Sequence, residues 1–370
     1  MYLQDLLNIL EAWAPRDIAW ERDNVGLQVG SMRRNVRNVL VTLDVTDRVV
    51  DEARRKKIDL IISHHPLIFQ PLKTLRTEDR TARLLTRLIE ENIALYALHT
   101  NLDFTTGGVS FALAEELSLQ SVRVLQPHTN MQKKIVVYVP EQFAAPVMTA
   151  MAKAGAGTIG KYENCSFRSP GVGTYLPASG AAPYAGKIGK LESAEEVRLE
   201  MIAAAWDVRE ILSAMRSAHP YEEVAYDVYD LANVSDEFGA GVIGELEKPQ
   251  PLKKFLGHVR KQLNVPVLRY TAGSQSTVRR VAVCGGSGSD LLATAVCEGA
   301  DAFVTADITY HKFQDCDRRL TLVDAGHFET ERPALRHVVR YLAKECAARK
   351  QQITITASST SSNFVQYSIA

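Results

Sequence analysis

Apolar strands alternate with amphipathic helices in the first third of the chain. The apolar runs VLVTLDV (39–45), IDLIIS (58–63) and IALYALH (93–99) predict strands, and the segments with helical spacing are 47–57, 78–92 and 107–119. Strands that are apolar at nearly every position are typical of a parallel sheet covered by helices on both faces. This part of the chain is therefore predicted to adopt an α/β fold.

The last third repeats this alternation, whereas the middle does not. Strands are predicted at 278–284, 302–306, 320–325 and 352–357, with a helix from Leu291 and a long helix through RPALRHVVRYLAKECAARK. Residues 131–235 instead predict strand, helix, strands, helix and strand, with a Gly-, Pro- and Ala-rich stretch at 168–189. We expect an α/β domain of mostly parallel sheets from residues 1–130 and 236–370, with a small α+β domain inserted at 131–235.

Composition and charge exclude several classes of protein. The chain has 370 residues, of which 46% are hydrophobic and 23% charged, and its formal net charge is zero. This is the profile of a soluble globular protein without an overall basic footprint for nucleic acid or an anionic membrane. No apolar run is long enough to span a bilayer, and the N-terminal region lacks a secretory signal pattern. We therefore expect a cytoplasmic protein without a membrane partner, and the zero net charge disfavours a nucleic acid as partner, although a local basic patch could exist.

The five cysteines are widely spaced and form no CxxC pair. Such a pattern favours reduced thiols over a disulfide framework or a zinc–thiolate cluster. Metal ligands, if present, are then expected among histidines and carboxylates.

Two adjacent imidazoles end the second predicted strand, in the sequence IISHHPLIF (61–69). Neighbouring side chains of a strand point to opposite faces, and Pro66 holds His65 in an extended conformation, so the rings of His64 and His65 diverge. In open α/β sheets, ligands bind at this carboxyl edge. Diverging rings suit two neighbouring metal ions. The alternative is that the two histidines are unrelated, and that each one caps a helix or packs in the core.

Two other strand ends carry further candidate ligands. His99 and Asp103 follow the third strand, and His327 precedes Glu331 by four residues, which places both on one face if that segment is helical. Each of these features alone is equally typical of a helix cap or a solvated helix start. If all these strands belong to one parallel sheet, their ends meet, and three histidines with two carboxylates could hold two ions about 3.5–4 Å apart, bridged by one carboxylate.

Several motifs closely resemble those of the Nif-three-like dinuclear-metal family, whose bacterial members are called GTP cyclohydrolase type 2 homologues. They are WERDNVGLQVG, SHHPLIF, LHTNLD, CGGSGSD, DAFVTADITYH and DAGHFETE. The resemblance implies an α/β fold, a two-metal centre and a homohexamer. It also implies a set of metal ligands, namely His64, His65, Asp103, His327 and Glu331. The middle segment, with SFRSPGVGTYLP and HPYEEVAYDVYDL, is similar to the PII/CutA-like domain inserted in longer family members.

Other residues near predicted strand ends are consistent with more than one role. Gly285, Gly286 and Ser287 could cradle a phosphate or simply permit a turn. His99, Asp44, Asp307 and His311 could orient ligands or bind substrate, or could be caps and surface groups. GAGVIG (239–244) fits a dinucleotide-binding pattern, but its context favours a loop that joins the domains.

The function predicted from these features is metal-dependent hydrolysis. Two divalent ions per subunit, with zinc first and iron, manganese or nickel as alternatives, would activate a water molecule. The resemblance suggests GTP as substrate, while a phosphoester or another cyclic amide suits the same metal pair. No side-chain nucleophile is evident, the catalytic residues stay unassigned, and Glu331 or His99 could shuttle the proton. The alternative is a non-catalytic metal-handling or regulatory hexamer whose inserted domain binds a small molecule or nucleotide.

Overall fold

The computed structural model describes residues 1–360 and 362–368, and the chain divides into two compact units. One unit combines residues 1–127 and 236–370, and the other comprises residues 128–235.

The strands and helices are named in chain order. The strands are β1 (Gly26–Val29), β2 (Asn38–Thr42), β3 (Leu60–Ser63), β4 (Ala94–Ala97), β5 (Gln120–Thr129), β6 (Gln132–Val139), β7 (Phe167–Tyr175), β8 (Glu192–Ala204), β9 (Tyr226–Asp230), β10 (Val234–Pro251), β11 (Arg269–Thr271), β12 (Thr277–Ser287), β13 (Ala302–Ala306), β14 (Thr321–Asp324) and β15 (Thr354–Ala357). The α-helices are α1 (Leu3–Trp13), α2 (Asp47–Arg55), α3 (Arg80–Glu90), α4 (Thr100–Asp103), α5 (Val109–Glu116), α6 (Glu141–Lys153), α7 (Val208–Ala218), α8 (Leu252–Leu263), α9 (Leu292–Cys297), α10 (Tyr310–Asp315), α11 (His327–Glu331) and α12 (Pro333–Ala348).

The first unit contains a five-stranded sheet in the order β1-β4-β3-β2-β15. The neighbours from β4 to β15 pair in parallel, and β1 pairs antiparallel with β4. Alternate residues of β2 face different cores, since Val39 and Val41 pack in one cluster with α1 and α12, whereas Leu40 packs with α2 and α3 in another. Burial on both faces explains why these strands are apolar at nearly every position.

A separate six-stranded sheet in the same unit has the order β11-β14-β13-β12-β10-β5. Its central strands β12, β13 and β14 are parallel, while β11 and β10 pair antiparallel with their neighbours. The strand before His327 therefore lies in a different sheet from those before His64 and His99. The expectation that these strand ends share one sheet is wrong, and the site must be assembled from two sheet edges.

The second unit follows the order β6-α6-β7-β8-α7-β9 and forms one antiparallel sheet, β7-β8-β6-β9. Its core alternates along the strands, with Ile135, Val137 and Val139 of β6 packed against the helices. Strand β7, at one edge, is largely exposed.

The mixed α/β fold predicted from the sequence is confirmed. The loop expected at GAGVIG is wrong, because residues 239–244 belong to the long strand β10. Among residues 1–360 and 362–368, no helix combines the length and the apolar character needed to cross a membrane.

Candidate metal centre

The carboxyl ends of β2, β3 and β4 deliver one half of the site. Thr42 pairs with Ser63, and Ser63 pairs with Ala97, so these parallel strands end side by side. The residues that follow therefore emerge at one edge of the five-stranded sheet. They are Asp44, His64, His65, His99 and Asp103.

The other half follows β13 and β14 of the six-stranded sheet. Asp307 comes directly after β13 in a left-handed conformation, with φ of 55°, which an aspartate tolerates better than most residues. Gly326 turns the chain after β14 with φ of 85°, and α11 then begins at His327 and ends at Glu331. The helical spacing expected for this pair is confirmed, and it brings Glu331 Oε1 to 2.9 Å from His327 Nε2.

Four imidazole rings at the site are held in the same way, through Nδ1. The partners of Nδ1 are Leu98 O for His64 at 2.9 Å, Asp44 Oδ1 for His65 at 2.9 Å, Asp23 for His99 at 2.9 Å and Asp307 Oδ2 for His327 at 2.6 Å. Carbonyl and carboxylate oxygens only accept hydrogen bonds, so Nδ1 must donate in every ring. In the neutral tautomer, each Nε2 then carries a lone pair.

These Nε2 atoms converge on one region. His65 Nε2 lies 3.3 Å from His327 Nε2. Potential ligand atoms of His64, His65 and His99 lie within 4.8 Å of one another, and so do those of His65, His327 and Glu331. Lone pairs at such distances repel unless a cation lies between them. The cluster of histidines and Glu331 can therefore bind a metal ion.

Glu331 lies at the centre of the imidazole cluster. Its Oε2 is 3.1 Å from His65 Nε2, and its Oε1 is 3.6 Å from His64 Nε2. Asp103 Oδ1 also lies 3.6 Å from His64 Nε2. The Glu331 carboxylate thus lies close to three imidazole nitrogens at once.

Several buried polar atoms of this cluster have no hydrogen-bond partner in the described part of the chain. They are His64 Nε2, Asp103 Oδ1 and Glu331 Oε2. The side chains of His64 and Glu331 are only 2% and 4% exposed, so bulk water does not satisfy them. Unpaired buried donors and acceptors cost free energy. The three atoms lie where a cation would coordinate them, and the donor set fits a divalent metal.

The electrostatics also favour positive charge between the rings. Burial alone would lower the pKa of His65, but the hydrogen bond with Asp44 and the nearby Glu331 carboxylate outweigh it and raise that pKa to about 10. For His327, burial likewise lowers the pKa, but Glu331 and Asp307 outweigh it and raise the pKa to about 9. Despite its burial, Glu331 is held ionised, since the surrounding imidazoles keep its pKa well below the ordinary value. Two protonated Nε2 atoms 3.3 Å apart would repel, so a metal cation satisfies this charge better than protons do.

The glycines after β12 make room for the carboxylate. A Cβ on Gly286, whose φ is 64°, would overlap with Glu331 Oε1, and a Cβ on Gly285 would overlap with Val109. Ser287 is the last residue of β12 and is exposed. His311 lies on the exposed helix α10, where its Nδ1 is 3.4 Å from Gln314 Oε1. The convergent groups named above do not include His311 or Ser287.

Asp23 is the functional side chain that the sequence reasoning missed. It lies in the loop before β1, is 1% exposed, and contacts His99 Nδ1 with both carboxylate oxygens at 2.9 Å. It also accepts hydrogen bonds from the backbone and hydroxyl of Thr100. Its position within the quoted motif WERDNVGLQVG was the one signal available, because its partners lie 76 and 77 residues away in sequence.

The site is most open to solvent at His327 and Asp307. The His327 side chain is 36% exposed and that of its partner Asp307 is 52% exposed, in contrast to the buried His64. Nearby, burial together with the negative charge of Asp103 raises the pKa of Cys284 to about 12, so this thiol keeps its proton at neutral pH. The arrangement offers an accessible edge and no thiolate nucleophile at Cys284.

Comparisons with known proteins agree on one family. The family model described as Duf34/NIF3 (NGG1p interacting factor 3) matches residues 1–363. A Bacillus subtilis (strain 168) protein named GTP cyclohydrolase 1 type 2 homolog is 40% identical over 362 residues, which cover 97% of each chain. Among solved structures, a Bacillus cereus protein related to NIF3 is 40% identical with a TM-score of 0.82, covering 100% of this chain and 99% of that one. The Staphylococcus aureus protein SA1388 is 29% identical with a TM-score of 0.80, and 99% of each chain is covered.

Proposed function

Because the chain belongs to the Duf34/NIF3 family, we propose that it is a hydrolase that depends on two divalent metal ions per subunit. The observation that carries this proposal is the convergence of imidazole Nε2 atoms, each fixed through Nδ1, on the buried carboxylate of Glu331. Such a donor set suits zinc first, with iron, manganese or nickel as alternatives.

The proposed ligands form two groups that share Glu331. One group is His65 and His327, whose Nε2 atoms lie 3.1 Å and 2.9 Å from the Glu331 carboxylate, and the other is His64 with Asp103, where His64 Nε2 lies 3.6 Å from Glu331 Oε1 and 3.6 Å from Asp103 Oδ1. Asp44 and Asp307 hold the His65 and His327 rings in the ligating tautomer, and Asp23 orients the His99 ring beside them. Removing such orienting partners typically weakens metal binding 10- to 100-fold.

Two bound divalent ions would supply an activated water molecule and polarise the bond that it attacks. The side chains of the protein contribute by holding the ligands and a proton acceptor in place. The oriented rings fix the ligand geometry, and His99, whose Nε2 faces the cluster while Asp23 holds its Nδ1, is placed to accept and return a proton. The protonated Cys284 supports water as the nucleophile.

For the substrate, we propose a nucleotide, with GTP first and other phosphoesters or cyclic amides next. The support is the name of the 40% identical relative, GTP cyclohydrolase 1 type 2 homolog, together with the exposed edge formed by His327 and Asp307. Backbone groups around Gly286 lie beside this edge and could contact the substrate.

The test is a turnover screen on protein loaded with zinc, iron, manganese or nickel. We expect hydrolysis of GTP or of a phosphodiester that stops after chelation and returns when metal is restored. The Glu331→Gln variant should lose both turnover and metal. Fully loaded protein that turns over no nucleotide, phosphoester or cyclic amide would refute the catalytic proposal.

A second candidate is a metal-handling or regulatory protein whose inserted domain, proposed at residues 131–235, binds a small ligand. It is favoured by a cavity of about 630 Å³ that lies within that unit. We further propose that this unit is ferredoxin-like and of the PII/CutA type, which its βαββαβ element order supports.

We also propose that the protein forms a homohexamer. Light scattering would test this by measuring the molar mass of the particle in solution. A cytoplasmic location, proposed because the five cysteines are all unpaired, would be tested by cell fractionation.

A further inference from the structure

The inserted unit contains a cavity of about 630 Å³, built from several segments. Strands β6, β7 and β8 provide its floor, and residues 176–185 and 221–225 provide the remaining walls. This volume lies within the range of sites that bind small molecules. None of the proposed metal ligands lines it, so it needs a separate explanation.

The loop that borders the cavity is held in place by specific bonds. The Tyr175 hydroxyl donates to Ala185 O at 2.9 Å, and the Ala182 amide donates to Glu222 Oε1 at 2.8 Å. At the loop's base, the Gly189 amide donates to Pro177 O at 2.9 Å. The cavity wall is therefore organised before any ligand binds, which reduces the entropy cost of binding.

Four tyrosines contribute aromatic rings to the lining. Tyr138, Tyr175, Tyr184 and Tyr221 all line the cavity, and the ring centroids of Tyr184 and Tyr221 are 5.9 Å apart. Phe143 supports Tyr184 from outside in an edge-on contact of 5.8 Å. Aromatic faces carry partial negative charge and attract cations.

The charged lining residues are mainly acidic. Glu196, Glu222 and Glu223 line the cavity, whereas Arg198 is the single cation among the lining residues, and its guanidinium lies 3.1 Å from Glu200. Glu196 also bonds to the Tyr221 hydroxyl. A Cβ on Gly173 would overlap with Glu196 Oε2, so the glycine allows this carboxylate to lie against β7. The lining therefore disfavours an anionic ligand.

We propose that this cavity binds an organic cation, namely an ammonium group that carries apolar substituents. The tyrosine rings contact the substituents and the cation, and Glu196 supplies the opposite charge. This inference rests on the second candidate function, the regulatory protein, and names the class of ligand that its inserted domain would bind. Binding of this ligand requires neither bound metal nor hydrolysis. An anionic nucleotide is the wrong charge for it.

The experiment compares two probes of nearly equal shape on the full-length protein. Acetylcholine carries the quaternary ammonium group, and 3,3-dimethylbutyl acetate replaces its nitrogen by carbon. We expect acetylcholine to bind at least about tenfold more tightly by calorimetry or saturation-transfer NMR, since only the charged probe gains from the tyrosine faces and the Glu196 carboxylate. GTP should not displace it.

Variants locate the binding. Glu196→Gln and Tyr184→Ala should each weaken acetylcholine binding by about fivefold or more, while Tyr162→Ala, an exposed tyrosine of the same unit outside the lining, should leave it unchanged. Tyr184 is 52% exposed, so its loss should not unfold the unit, which circular dichroism verifies. Equal binding of both probes, no binding of either, or displacement by GTP would each overturn the cation site. Metal content and turnover are measured separately, so failure here is distinguishable from failure of the hydrolase proposal.

Discussion

Replacing Asp23 by asparagine should weaken metal binding without touching any proposed ligand. The carboxylate is buried and accepts from His99 Nδ1, from the Thr100 amide at 3.1 Å and from the Thr100 hydroxyl. An asparagine amide can present NH₂ to Nδ1, which favours the wrong imidazole tautomer. In Asp23→Asn, the proton of His99 would then move to Nε2, the atom that faces the cluster.

The magnitude follows from the pKa of Asp23. Burial alone would raise this pKa, but hydrogen bonds from His99 and Thr100 outweigh it and lower the pKa from 3.8 to about 2. At 1.36 kcal/mol per unit, the ionised carboxylate stabilises the metal-free fold by about 2 kcal/mol. Because the folded pKa lies below the unfolded one, this contribution is complete above about pH 4 and is lost as the pH falls toward 2.

Two assays follow at pH 7. Urea unfolding of the chelated Asp23→Asn protein should show a loss of about 2 kcal/mol, and competition with a chelating dye should show a lower metal affinity, because a proton on His99 Nε2 would repel the nearby cations. Asp17→Asn is the matched control, because Asp17 is an exposed aspartate nearby in sequence. Wild-type metal affinity in Asp23→Asn, together with unchanged stability, would refute the assigned role of Asp23.

Three further predictions concern packing, pH and domain organisation. Gly286→Ala should strain the backbone and displace Glu331, with loss of metal detected by elemental analysis, whereas Gly171→Ala, whose added Cβ meets nothing, should retain metal. Glu52→Gln should lower the free energy of unfolding, measured with urea at pH 7, by about 1–3 kcal/mol, because buried Glu52 accepts hydrogen bonds from residues 358–360. Burial raises the Glu52 pKa, but Lys56 and Ser358 outweigh it and hold it well below 4.5, so the wild-type advantage should shrink as the pH falls below that value. Replacing residues 128–235 by a short linker should leave a folded, metal-binding protein, since β5 and β10 are neighbours in one sheet; a folded deletion protein without metal would contradict this division.

Local patterns were sufficient to predict much of the fold. The apolar run before His64 is buried throughout in β3, and the spacing of His327 and Glu331 is realised in α11. Both inferences need only neighbouring residues, because burial on two faces and the helical repeat are local properties of the chain.

The partners of those residues were not predictable in this way. Asp23 reaches His99 across 76 residues, and His327 approaches His65 from another sheet, 262 residues away. Periodicity does not encode such long-range contacts. The strand at GAGVIG was missed for a related reason, since its glycines suggest a turn, while Gly239 is needed because a Cβ there would overlap with Gln126 O.

The most direct test of the metal centre is the number of metal equivalents per chain, measured by elemental analysis after zinc loading and removal of free metal. We predict about two equivalents in the wild-type protein and one or none in Glu331→Gln, because the Glu331 carboxylate approaches a histidine of each proposed group of ligands. Two full equivalents in Glu331→Gln, or none in the wild-type protein, would contradict the dinuclear centre.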